Sequence, residues 1–197
     1  MALMMIFELD DATTDDYDAV NEAMGIDENN LPQGMISHAV GPLDEGGLLI
    51  VDLWESEDDL NRFFTEQAGP AMEKVGVSPP KQPQVHQVHN HIPQGSGLHP
   101  NVIILVESEG FGADNYDAVT GQLDAYAGDG SDHPAVTHIA ALRDDGSMVL
   151  VDIWDSPEAA NEFLEQQVGP AAASAGADVS KMDVRSVPVH NRFSTAG

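Results

Sequence analysis

Apolar and polar positions along this chain switch between a strand period and a helix period, and the order of the switches predicts the elements. Leu3 to Leu9 reads as a short apolar strand that runs into Asp10-Asp11. A helix follows from Thr13 or Thr14, whose hydroxyl can cap the free amides of the first turn, with Tyr17, Val20 and Met24 on one buried stripe. Met35 to Val40 and Leu48 to Trp54 return to strand, joined by a turn at Gly46-Gly47. Ser56 then caps a second helix with Leu60, Phe63 and Phe64 on its apolar stripe, and Gly69-Pro70 is expected to break it. Gln84 to Asn90 forms the last strand.

The same order returns about 100 residues later. Val102 to Ser108 repeats the first strand, and Tyr17-Asp18-Ala19-Val20 comes back as Tyr116-Asp117-Ala118-Val119. Val51-Asp52-Leu53-Trp54-Glu55-Ser56 comes back as Val151-Asp152-Ile153-Trp154-Asp155-Ser156. Gly69-Pro70-Ala71 matches Gly169-Pro170-Ala171, and Val88-His89-Asn90 matches Val189-His190-Asn191. The chain therefore reads as two copies of one unit, residues 1–93 and 101–197, joined by a Gly/Pro/Ser/His linker over 94–100. The order βαββαβ predicts a ferredoxin-like unit, a four-stranded antiparallel sheet with both helices on one face. An open face carrying Met4, Ile6 and Trp54 needs cover, so the fold class expected is α+β, with two tandem ferredoxin-like units closing face to face as a monomer that is its own pseudo-dimer.

Composition narrows the function classes. Without cysteine, disulfides, thiolate metal sites and cysteine nucleophiles are excluded, which fits a cytoplasmic setting. Asp and Glu number 34 against seven Lys and Arg, a formal net charge of -27. Such a surface repels nucleic acid and anionic membrane, so neither is expected as a partner. Its self-repulsion is relieved when molar salt shortens the Debye length to about 3 Å, which points to a salt-adapted protein. No apolar run approaches the roughly 18 residues of a membrane span.

At the strand Val51 to Trp54, the Ser56 cap and the following helix with its Gly-Pro, each unit resembles the antibiotic biosynthesis monooxygenase-like group of the dimeric α+β barrel superfamily. The resemblance implies an intramolecular dimeric α+β barrel and a small-molecule cavity, with cofactor-free monooxygenases of aromatic polyketides and haem-degrading enzymes among its members. In the haem-degrading branch a His ten residues after the position of Trp54 binds iron. Phe64 and Leu164 stand there instead, so haem is not expected.

Strand alternation nominates the cavity-facing side chains. Leu49, Val51 and Leu53 look suited to the helices, which would turn Asp52 and Trp54, with Asp152 and Trp154, into a cavity between the two sheets. Glu8 shares a face with Met4 and Ile6, and Glu107 with Ile103 and Leu105. His38 and His138 recur in the second strand, and His89 and His190 in the last. The edges of two closing sheets would bring His38 towards His190 and His138 towards His89. A carboxylate in such a cavity can act as a general base, and two His with one carboxylate is a composition suited to a metal such as iron. The bland alternative makes Asp52 a strand-end hydrogen-bond partner and Trp54 core. The function expected is a monooxygenase-like enzyme with a small apolar or aromatic ligand and no organic cofactor. The alternative is a non-catalytic ligand-binding or stress-related barrel.

Overall fold

The computed structural model describes residues 1–27, 29–79, 83–93, 99–127 and 133–195, so most of the expected linker, 94–100, lies outside the described residues. The first repeat forms β1 (Leu3–Leu9), α1 (Thr14–Met24), β2 (Met35–Pro42), β3 (Leu48–Trp54), α2 (Glu57–Phe63), α3 (Gly69–Val75) and β4 (Gln84–Ile92). The second forms β5 (Val102–Gly112), α4 (Ala113–Thr120), β6 (Thr137–Leu142), β7 (Ser147–Trp154), α5 (Pro157–Phe163), α6 (Gly169–Ala175), β8 (Met182–Pro188) and β9 (Asn191–Ser194). The stretch 183–191, which the repeat predicts as one strand matching Gln84 to Asn90, is thus divided between two, because Pro188 has no N–H to extend the ladder.

Local chemistry explains the helix starts. Thr13 closes a capping box with Asp16: its Oγ accepts the Asp16 N–H at 3.2 Å, and the Asp16 carboxylate accepts the Thr13 N–H at 2.9 Å. Ser56 and Ser156 accept the amides of Asp59 and Ala159. Gly69-Pro70 does not break its helix. A π turn over Phe64–Ala68 carries α2 into α3, with the Gly69 amide reaching back to the Phe64 carbonyl, which makes room for a proline that has no N–H to give. A side chain at Gly69 would stand 2.8 Å from that carbonyl, so the glycine is needed for the close approach.

The two compact units do not coincide with the two repeats. One comprises Met1–Val85 and the strand that follows Pro188, and the other His86–Val187. In the first unit the strands run in the order β1-β3-β2-β9, and in the second β8-β5-β7-β6-β4. The last strand of each repeat therefore completes the other unit: β9 pairs with β2, setting Phe193 opposite His38, and β4 pairs with β6, setting Ile92 opposite His138. This is the edge pairing expected from the sequence.

Both faces of β3 are buried. Leu48, Ile50 and Trp54 pack with Met5, Phe7, Tyr17, Leu60 and Phe63 on the helix side, and Met4, Leu49 and Leu53 on the other side are buried too. In the second unit Val102, Ile104, Met148 and Trp154 take the helix side with Tyr116 and Phe163. Among the described residues no helix is long and apolar enough to cross a membrane.

Candidate functional site

The register places Asp52 directly opposite both Met5 of β1 and His38 of β2, with Trp54 two residues along on the same face. That face is the helix side. Asp52, Trp54, Asp152 and Trp154 thus lie on the opposite side of the sheet from the one expected, and Trp54 packs on Phe63 of α2 at 5.1 Å between centroids, as Trp154 does on Phe163 at 5.5 Å. The physical reason is that β3 and β7 are apolar on both faces, so alternation gives the phase of the strand but not which phase meets the helices.

The reversal assembles a site. Asp52 is 2% exposed and His38 8%, and they meet at 2.6 Å through His38 Nδ1. A carboxylate accepts, so the imidazole proton lies on Nδ1, and Nε2 accepts the hydroxyl proton of Tyr17 from α1 at 2.7 Å. The second unit repeats the chain: Tyr116 donates to His138 Nε2 at 2.8 Å, and His138 Nδ1 donates to Asp152 at 2.7 Å. Burial pushes both tyrosine hydroxyls well above the ordinary phenol value, and the nearby Asp52 and Asp152 push the same way. Each phenol is therefore held neutral and hands its proton inwards.

The exchanged strands finish the site. Asn90 of β4 donates to the Tyr116 hydroxyl at 2.8 Å, and Asn191 of β9 lies beside the Tyr17 hydroxyl. His89 and His190 do not enter the site. They are exposed, bonded to Asp117 at 2.7 Å and Asp18 at 2.9 Å, with their rings edge-on to Tyr116 and Tyr17. The repeated Tyr-Asp pair thus has two jobs, the Tyr reaching the relay and the Asp holding the incoming strand. Glu8 is exposed at the end of β1, and Glu107 pairs with Arg143 and Arg185. Glu107 is thus committed to arginine rather than to the relay. Among the described residues no group of three or more His, Asp or Glu is placed to hold a metal ion.

Each relay opens on a cavity between its own sheet and helices, about 60 Å³ in the first unit and about 90 Å³ in the second. The walls of the first are almost all apolar, among them Phe7, Met24, Met35, Phe63, Met72 and Phe193, and Tyr17, Asn21, His38 and Asp52 supply the polar patch. The second unit adds Tyr126, edge-on to Tyr116, His138 and His133. Reading the sequence missed Tyr17 and Tyr116 as site residues because they fit the buried helical stripe. The signal that could have found them was their recurrence beside an acid that burial would not explain.

No family model matches the chain, and no curated protein matches it in sequence. Solved structures do match. A candidate monooxygenase of Lactobacillus acidophilus superposes with a TM-score of 0.69 at 11% identity, over 98% of this chain and 96% of the other. A candidate monooxygenase of Fusobacterium nucleatum gives 0.71 at 9% identity, over 100% and 94%. An anthrone oxidase-like protein gives 0.54 at 16% identity, over 100% and 93%. At such identities the likeness speaks for fold alone, an α+β fold of antiparallel sheet and helices shared over nearly the whole of each chain.

Proposed function

We propose, for a chain with the fold of the monooxygenase-like α+β barrels, that each unit binds a small apolar or aromatic molecule and removes a proton from it through the Tyr–His–Asp relay. The observation that carries this reading is the placement of the relay, hydrogen-bonded from Tyr through His to Asp and lining a mostly apolar cavity, in both units. A ligand O–H or acidic C–H beside the Tyr17 hydroxyl can pass its proton to that oxygen as Tyr17 passes its own to His38 Nε2. Asp52 then faces the imidazolium that forms. The electron-rich anion left in an apolar, water-poor site is suited to direct reaction with dioxygen. In that reaction a CH₂ carbon becomes a carbonyl and loses four electrons, O₂ takes all four, and one oxygen leaves as water, so no external reductant and no organic cofactor is required.

The test is oxygen uptake by the purified protein with a panel of single-ring phenols and aryl ketones, with product mass analysis for a gain of one oxygen and a loss of two hydrogens. Removing a general base costs about 100-fold or more, so the H38A/H138A double variant should lose uptake. Uptake that survives in the double variant refutes the relay. A wild-type protein that binds the panel without consuming oxygen returns the chain to the non-catalytic reading.

A further inference from the structure

Each relay keeps a negative charge where no Lys or Arg meets it. Asp52 is 2% exposed, and the walls of the two cavities include neither basic residue type. Among the described residues the ion-pair partner of each aspartate is its own histidine, and that histidine's proton already sits on Nδ1. A carboxylate held out of water in this way is costly, and the loss of one electron from the relay would cancel its charge. The group able to supply that electron is the phenol. Burial holds Tyr17 and Tyr116 in the neutral form, so the electron leaves readily only if the hydroxyl proton leaves with it. An acceptor for that proton is in place: the hydroxyls lie 2.7 and 2.8 Å from Nε2 of His38 and His138, and the planes of each tyrosine and its histidine are within 3° and 8° of parallel.

We propose that Tyr17 and Tyr116 are redox-active residues, each giving one electron to an organic radical while its hydroxyl proton passes to Nε2 of His38 or His138. The organic radical gains the electron and becomes a closed-shell anion. The tyrosine becomes a neutral phenoxyl radical, and the histidine becomes an imidazolium faced by Asp52 or Asp152. The relay thus passes from one uncompensated negative charge to none. An electron from an enediol reductant, with return of the proton from Nε2, restores the phenol. The proposal goes beyond the proton-abstraction reading: it uses the same hydrogen bonds but needs no ligand proton, and it gives the relay the task of quenching radicals. Two neighbouring groups mark its limits. Tyr126 stands edge-on to Tyr116 at 6.3 Å, but among the described residues no base accepts its hydroxyl proton, and Trp54 Nε1 is buried without a hydrogen bond. Both lack an exit for the proton and should stay reduced.

The experiment mixes the full chain with hexachloroiridate(IV), an outer-sphere one-electron oxidant, in molar KCl, which screens the anion from the acidic surface. Stopped-flow absorbance follows loss of the oxidant, and freeze-quench electron paramagnetic resonance identifies the radical. Wild type should give a tyrosyl signal that forms more slowly in D₂O and that ascorbate erases. The signal should survive Tyr126→Phe and vanish in the Tyr17→Phe/Tyr116→Phe double variant. Taking away the proton acceptor in H38A/H138A should slow tyrosyl formation about 100-fold and remove the isotope effect; the phenylalanine pair, which keeps both rings, guards against a folding defect in the histidine pair. No tyrosyl signal in wild type, a signal that persists in Tyr17→Phe/Tyr116→Phe, or formation at the wild-type rate in H38A/H138A overturns the inference. A relay-dependent tyrosyl signal without oxygen uptake would leave the inference standing and remove the oxygenase reading, and oxygen uptake without the signal would do the reverse.

Discussion

His133 is wedged in the second unit among Tyr126, His138, Phe163 and Trp154, with ring centroids 4.8 to 6.5 Å away, and is 3% exposed. Its Nδ1 accepts the Ala135 N–H at 3.2 Å, so its proton sits on Nε2. Protonating Nδ1 would turn an acceptor into a donor facing a donor. Burial pushes the imidazole down from 6.5 to about 4, the neighbouring His138 pushes the same way, and Asp152 only partly opposes them. The unfolded chain therefore binds this proton more readily than the folded one between pH 6.5 and about 4. The stability it provides is full above pH 6.5 and is lost as the pH falls towards 4. At about 1.4 kcal/mol per pH unit the loss comes to about 3 kcal/mol. His133→Leu, close in volume, should abolish it. The assay is urea unfolding at pH 7, 5.5 and 4 in molar salt, followed by the fluorescence of Trp154 in a W54F background. The parent should lose about 3 kcal/mol more than the His133→Leu protein between pH 7 and 4, because the carboxylates common to both cancel. Parallel pH profiles would refute the reasoning.

Three further outcomes follow from the same structure. Asp52→Ala leaves buried His38 without its partner and should cost about 3 kcal/mol in chemical denaturation, against about 1 kcal/mol for Asp52→Asn, which keeps an acceptor; a cost under about 0.5 kcal/mol for the alanine would show the pair is not holding β2 to β3. Gly69→Ala should cost about 1–2 kcal/mol by driving a methyl into the Phe64 carbonyl, while Gly169→Ala, with 3.3 Å to Leu164, should be nearly neutral because helix propensity offsets the crowding; equal costs would mean the two π turns are equally roomy. The melting temperature should rise from low to molar KCl as repulsion among 34 acidic side chains is screened, and a flat or falling series would remove the salt-adapted reading.

The sequence carried the elements and the edge pairing because each rests on local chemistry or on repetition. Thr13 and Ser56 cap where their hydroxyls allow, and the recurrence of Val88-His89-Asn90 at Val189-His190-Asn191 marks the strand ends that meet β6 and β2. Facing was not legible. Leu48 to Trp54 is apolar at nearly every position and every residue in it is buried, so nothing in its composition separates the helix side from the other. His38, Asp52 and their copies were visible as recurring residues, and register then set each His opposite its Asp, but the tyrosine that links them to the cavity looked like ordinary helical core. The Gly69-Pro70 break was misread for a related reason: a proline signal says that a normal helical bond is missing, and a π turn supplies that gap as well as a helix end does.

Strand exchange within one chain also explains how the two sites could come apart. The hydroxyl of Tyr17 is flanked by an asparagine from the second repeat, and that of Tyr116 by one from the first, so each repeat supplies its own relay and borrows the asparagine beside it. In a dimer of identical chains any change beside one relay would appear beside the other. Here Asn21 can lie beside the Tyr17 hydroxyl while Thr120 gives its hydroxyl to its own helix, and His133 can enter beside one relay alone. What both units must keep is the set that makes each relay and docks its borrowed strand: Tyr-Asp on the helix, His and Asp across β2–β3 or β6–β7, and His-Asn at the exchanged strand. Those residues are the same in both copies, and the residues that differ lie one step farther out, on the cavity side where a ligand would be chosen.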